Sequence, residues 1–214
     1  MTLTHFEELV PKIEKIALPG IEAQFKLAPE IRKKLGKTVN LEEKKPRKAA
    51  VLALLFPDAN NNMHMVFMLR KTYAGVHSNQ IGFPGGKLEP ADESLKGTAL
   101  RETHEEIGVH ANDITVLKKL TEVYIPPSNF LVAPFLGIVS QRPDYELEEK
   151  EVERIIEIPL KQVLSDDFVS TKIITTSYAT DLEVPVFQFE EEVIWGATAM
   201  MLSEIKDLLL SVSH

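Results

Sequence analysis

"GFPGGKLEPADESLKGTALRETHEEIGV", residues 82–109, is the stretch on which the reading of this chain turns. Two adjoining glycines, Gly85 and Gly86, precede a segment predicted as a helix over 94–107, and that helix carries Glu102, Glu105 and Glu106. Positions i, i+3 and i+4 share one helical face with Cβ atoms about 5–6 Å apart, and like charges there destabilise a helix by a few tenths of a kcal/mol per pair. Surface helices leave such charges to water. Here three neighbours argue for more. Leu95, Ala99, Leu100 and Ile107 give the helix an apolar flank, so the acidic face lies beside the core. Gly85 and Gly86 permit backbone conformations closed to other residues and let a ligand come close. The order Arg-Glu-x-x-Glu-Glu-x-Gly is also restrictive, matching by chance on the order of once in a million start positions.

The rest of the chain sets the frame. Its 214 residues, 44% hydrophobic and 26% charged, suit one soluble globular domain with a substantial core. A net charge of -8 disfavours a nucleic-acid or anionic-membrane footprint, because phosphate surfaces are held by clustered Lys and Arg. With no cysteine there is no disulfide, thiolate zinc site or Cys nucleophile, which suits a cytoplasmic protein. The start, "MTLTHFEELV", lacks the order of a signal peptide, the final "VSH" is no peroxisomal tripeptide, and the longest apolar run, Ala49 to Phe56, is short of the ~20 residues of a membrane helix.

Residues 1–48 read as a helical extension packed on a main domain at 49–214. Phe6, Leu9, Ile13 and Ile16 have helical spacing interrupted by Pro11, and need a covering surface, either the domain or a second copy. "LAPEIRKKLGK" is a second short helix. "AAVLALLF" and "HMVFMLR" are predicted strands joined by the turn formers of "PDANNN"; "DITVLKKLTEVYI", "FLVAPFLGIV" and "VPVFQF" are further strands. Helices are predicted around 151–166, interrupted at Pro159 and opened by Glu151, and at 197–210. Interleaved strands and helices imply an α/β fold.

Gly86, an acid at Asp92 or Glu93, and "RETHEEIGV" from Arg101 resemble the signature of the Nudix hydrolases. Two departures mark the match: six residues rather than five separate Gly86 from Glu93, and Thr103 stands at an aliphatic position. The resemblance implies an α/β/α sandwich with a mixed β-sheet between helices. It also implies Mg²⁺ or Mn²⁺ held by Glu102, Glu105 and Glu106, the metal offsetting their crowding, with Arg101 bracing the loop on the early acid. "HEEIG" lacks the second histidine of a zinc-protease motif, so His104 reads as an exposed helix residue.

The segment "HSNQIGFPGGKLEPADESL" resembles the coenzyme A pyrophosphatase branch of that family, as do "LPGIEAQFKLAPEIR", "PPSNFLVAPF", "EVERIIEIPL" and "IWGATAMML". Departures are Lys71, Gly75 in place of an expected Arg, and Asn79. This branch implies hydrolysis of coenzyme A or an acyl derivative to 3′,5′-ADP and (acyl-)4′-phosphopantetheine. A proton would go to Glu105 or Glu151, with Glu106 and Arg101 also catalytic. Arg70, Lys71, His77, Gln80, Gly85, Gly86 and Lys87 would bind substrate, Arg70 and Lys71 meeting the 3′-phosphate. A homodimer is implied as well. Another Nudix substrate, such as ADP-ribose or a dinucleotide, and a non-catalytic binding module are the competing readings.

Overall fold

The apolar run that begins at Ala49 becomes the central strand because it has a protein layer on each side. The computed structural model describes residues 1–36, 39–72, 79–175 and 181–213, with backbone alone at 34–36. Four N-terminal helices, α1 (Leu3–Lys15), α2 (Ile21–Lys26), α3 (Glu30–Gly36) and α4 (Leu41–Lys44), lead to β1 (Arg47–Pro57). The turn after β1 is held by Asp58, whose Oδ1 accepts from the amides of Asn60 (2.8 Å) and Asn62 (2.7 Å), returning the chain as β2 (Met63–Arg70). Then come β3 (Ile81–Gly82), β4 (Gly85–Lys87), α5 (Leu95–Ile107), β5 (Thr115–Lys119), β6 (Val123–Ile125) and β7 (Phe130–Ile138). The chain closes with β8 (Val152–Pro159), α6 (Leu160–Leu164), β9 (Val169–Ile174), β10 (Leu182–Phe189), β11 (Glu192–Trp195) and α7 (Gly196–Val212).

Eight strands form a mixed sheet: β1 and β7 run parallel, and the other pairings are antiparallel. Alternate side chains of β1 enter different cores, as the two-residue period of a strand requires. Ala50, Leu52, Leu54 and Phe56 pack with Ala99 and Ile107 of α5. Ala53 and Leu55 belong to the core built from Leu202, Ile205 and Leu209 of α7 and Phe6 and Ile13 of α1. The result is an α/β/α sandwich around a mixed sheet, with β9–β11 as a separate antiparallel sheet. No helix among the described residues is long and apolar enough to cross a membrane.

Two expectations change. The helix expected over 151–166 is the strand β8, paired with β2 through Phe67↔Ile156 and Met65↔Ile158, followed by the short α6. Ile155, Ile156 and Ile158 are β-branched and the partner strand has a free edge, which outweighs the helical reading; Glu151 therefore precedes a strand and opens no helix. Pro11 lies within α1 on its exposed side without ending it. Of the two covering surfaces open to the N-terminal stripe, the chain itself supplies that for Phe6, Leu9 and Ile13, which are buried against α7 and β5.

Candidate active site

Gly85 and Gly86 lie in β4 because only hydrogen can occupy their Cβ positions. Gly85 has φ of 150°, and a Cβ there would fall 2.3 Å from the Ala50 carbonyl oxygen and 2.6 Å from the Val51 Cα. A Cβ on Gly86 would lie 2.4 Å from Glu102 Oε1. The first glycine lets β4 pair with β1 through Val51↔Gly85 and Ala50↔Gly86; the second gives the Glu102 carboxylate its place against the backbone.

The helix is anchored at both ends. Ser94 Oγ accepts from the Gly97 amide (3.1 Å) at the N-cap, and Gly108, at φ 78°, caps the C-terminus in the left-handed conformation. The amides of Glu146 and Glu148 donate to the carbonyls of Ile107 (3.2 Å) and Glu106 (3.0 Å). The same turn brings in Glu151, whose carbonyl accepts from the Lys71 amide at 2.8 Å. Thr103, at the position where an aliphatic residue is usual, is buried and donates its hydroxyl to the Ala99 carbonyl at 2.7 Å, so no polar atom is left unpaired.

Arg101 is the hub. Its Nε donates to Asp92 Oδ1 (2.8 Å) and its Nη2 to Asp92 Oδ2 (2.9 Å), the two-pronged arrangement a planar guanidinium favours. Nη1 donates to Glu102 Oε1 (3.0 Å) and Glu105 Oε2 (2.8 Å), and Nη2 to the Lys87 carbonyl (3.2 Å). Between the two acids left open by the sequence, Asp92 is the one that meets Arg101, while Glu93 is exposed. Hydrogen bonds from Arg101 hold the Asp92 carboxyl well below its ordinary range, and those to Asp92 push the guanidinium up.

Glu106 is nearly sealed from solvent, 2% exposed. Its Oε2 accepts from the Gly85 amide at 2.7 Å. Its Oε1 has no hydrogen-bond partner and lies 3.3 Å from Arg70 Nη2, in range of the charge but out of alignment. Burial pushes the Glu106 carboxyl up to about 8, against the attraction of Arg70; burial also raises Glu102, against the pull of Arg101. Glu105 is more than half exposed. Glu151 Oε2 stands 3.8 Å from Arg70 Nη2, which brings that acid to the cluster from outside the helix.

Of the expected substrate residues, Lys71 pairs with Glu153 (2.8 Å) and Lys87 sits 3.9 Å from Glu89, both pointing to acids of their own. Gln80 is half-buried and its carbonyl accepts from the Arg70 amide at 3.0 Å; His77 and Gly75 lie outside the described residues. Among the described residues no three acidic or histidine side chains converge as a ready metal cluster, since Arg101 stands between Glu102 and Glu105. The residues nevertheless fit a hard divalent cation. The donors are carboxylate oxygens, and a buried oxygen without a hydrogen bond, on an acid raised by burial, is one that a cation would satisfy.

A carboxylate-bearing helix braced on a glycine turn, set on a mixed sheet, defines a class of protein. The family description of the NUDIX domain matches residues 46–175, and the chain belongs to the Nudix family. A peroxisomal coenzyme A diphosphatase of Caenorhabditis elegans, ndx-8, is 33% identical over 155 residues, which is 72% of this chain and 64% of the relative. The Nudix hydrolase NudL of Yersinia pestis, itself uncharacterized, is 30% identical over 166 residues, 74% of this chain and 78% of the relative. Among solved structures, the Nudix hydrolase RenU of M. smegmatis superposes with a TM-score of 0.54 at 14% identity, covering 78% of this chain and 87% of that one. The NUDIX domain of Shewanella oneidensis NrtR, solved with ADP ribose, gives 0.53 at 14% identity, covering 83% and 97%. At these identities the structures speak for the fold.

Proposed function

We propose that this chain is a divalent-metal-dependent hydrolase of the diphosphate bond in coenzyme A or its acyl derivatives, yielding 3′,5′-ADP and (acyl-)4′-phosphopantetheine. The observation that carries the hydrolase reading is the set Glu102, Glu105 and Glu106 beside Gly85–Gly86, with the buried Oε1 of Glu106 lacking a hydrogen bond. The substrate reading is supported by similarity to the C. elegans coenzyme A diphosphatase over 72% of the chain.

Glu102, Glu105 and Glu106 would hold Mg²⁺ or Mn²⁺. Such an ion, when bound, supplies positive charge that acidifies water and offsets charge on the diphosphate. The chain's own residues do the rest. Gly86, lacking a side chain, leaves the approach to Glu102 open, and the Gly85 amide fixes Glu106 at 2.7 Å. Arg101 holds Glu102 and Glu105 in one place and ties both to Asp92. Glu105 and Glu151, the exposed acids of the cluster, are the residues able to take a proton from water. Arg70, beside Glu106 and Glu151, is the cation placed to meet a phosphate.

The test is a substrate panel of coenzyme A, ADP-ribose and a dinucleotide with Mg²⁺ and with Mn²⁺, products identified by mass. Release of 3′,5′-ADP from coenzyme A, faster than any turnover of the others, is the expected result. Preferential cleavage of ADP-ribose or the dinucleotide would move the assignment to that substrate.

A further inference from the structure

Arg70 and Lys71, the cations expected at the 3′-phosphate, are already ion-paired in the site, Arg70 with Glu106 and Glu151 and Lys71 with Glu153. A different cation lies nearby. A cavity of about 350 Å³ opens between the start of β3 and the three-stranded sheet, lined by Leu69, Asn79, Ile81, Lys172, Ile174 and Trp195 among others. That volume falls within the range of small-molecule sites.

Strand register places Lys172 and Trp195 on the same side of it. Lys172 is opposite Val184 and Trp195 opposite Val186, and these two valines, two apart on β10, share a face. The other face of the small sheet carries Phe187, Phe189 and Ile194 into the main core. Lys172 makes no ion pair among the described residues. Glu192 at the rim is already met by Arg154 at 2.6 Å, and Glu191 is exposed to water.

This cavity and the glutamate cluster are built on the same two strands. Leu69 and Ile81 are register partners that wall the cavity; the next residue, Arg70, projects to the opposite face and meets Glu106. Four residues beyond Ile81, the Gly85 amide bonds the same glutamate. β3 is two residues long and lies between β2 and β1, opposite β8, so the two faces meet at the strand ends, where the Arg70 amide donates to the Gln80 carbonyl at 3.0 Å.

Resting on the coenzyme A reading above, we propose that this cavity takes the 3′-phosphoadenosine end of the substrate, with the adenine on the Trp195 indole and the 3′-phosphate at Lys172. A flat aromatic face suits a base, and an unpaired ammonium suits a phosphate. The pantetheine arm is neutral and would leave that ammonium without a partner.

Trp195 is the single tryptophan of the chain, so its emission reads the cavity directly. The whole 214-residue chain is titrated, without metal, with 3′,5′-ADP and with 5′-AMP. The expected result is a change in emission with both, 3′,5′-ADP binding roughly ten- to a hundredfold more tightly. Lys172→Ala brings the two affinities together by weakening 3′,5′-ADP alone, and Lys172→Arg keeps the preference. Unchanged emission with 3′,5′-ADP, or a preference that survives Lys172→Ala, overturns the assignment. The two readings fail separately. A wild-type protein that leaves coenzyme A intact yet shows the Lys172-dependent preference loses the hydrolysis and keeps the cavity. One that cleaves coenzyme A, with a KM ratio to dephospho-coenzyme A unmoved by Lys172→Ala, keeps the hydrolysis and loses the cavity.

Discussion

Gly86 and Glu102 compete for one space: a Cβ on the glycine would lie 2.4 Å from the Oε1 of the glutamate. The colliding group is the far end of a flexible side chain, which can swing away. Gly86→Ala is therefore expected to fold with nearly normal stability and to lose most of its activity, because Glu102 leaves its place. Gly85→Ala meets backbone instead, at 2.3 Å from the Ala50 oxygen, at a φ of 150°. It is expected to destabilise by about 2–4 kcal/mol. Thermal unfolding and turnover, measured on both variants, separate the two roles; equal stability losses would refute the distinction.

Glu106→Gln keeps the shape and removes the charge. Turnover is expected to fall by several orders of magnitude, the scale of losing metal-centred stabilisation worth several kcal/mol. Retained near-wild-type turnover in both Glu106→Gln and Glu102→Gln would remove the metal assignment.

The same residue sets a pH dependence in the metal-free protein. Its carboxyl is raised by burial from 4.5 to about 8, so between those values the folded state binds more protons than the unfolded one. Stability from this group is complete below about 4.5 and is lost as pH rises to about 8, by up to several kcal/mol. Urea unfolding in chelator across pH 5–8 should show that decline, shallower in Glu106→Gln. Added Mg²⁺ or Mn²⁺ should restore stability most at the alkaline end. A metal-free midpoint that rises through this window instead would contradict it.

Asp92→Asn breaks the paired hydrogen bonds to Arg101 and is expected to cost about 1–3 kcal/mol and most of the activity. Glu93→Gln, at an exposed position, should stay within about 0.5 kcal/mol of wild type. A larger effect at Glu93 would reverse the choice between the two acids.

The N-terminal helices are joined to α7 by Glu204, which is fully buried and accepts from Gln24 Nε2 (2.9 Å), the Thr121 hydroxyl (2.6 Å) and the Gly20 amide (3.3 Å). Glu204→Leu takes the partner from the Thr121 hydroxyl and the Gly20 amide, leaving Gln24 Nε2 only the Thr121 carbonyl, and is expected to destabilise by about 2–4 kcal/mol. Phe6→Ala, which opens a void in the same core, should cost about 3–5 kcal/mol. Light scattering alongside tests whether assembly depends on this segment: Phe6 is buried within its own chain, so its particle size should not change.

Some of this was plain in the order of residues alone. The glutamates at i, i+3 and i+4, their glycine turn and the Arg-Glu-x-x-Glu-Glu-x-Gly spacing are local, and a helix puts such residues together whatever surrounds it. The central strand was equally legible, because a run of apolar residues that long needs cover on both faces. Other features were not. "EVERIIEIPL" carries neither period cleanly, and what makes it a strand is the open edge of β2, distant in sequence. Asp92 and Glu93 are adjacent acids of the same chemistry; only the angle at which the loop meets Arg101 separates them. The burial of Phe6, Leu9 and Ile13 required α7, nearly the whole chain away, to supply the surface. Lys172 and Trp195 come together through the register of β9, β10 and β11, which no local pattern encodes. Sequence by itself determined the chemistry that a single helix and its turn can hold, because those contacts span a few residues. Tertiary structure decided which acid pairs with which cation, because those choices depend on long-range pairing that excludes the alternatives by space and charge.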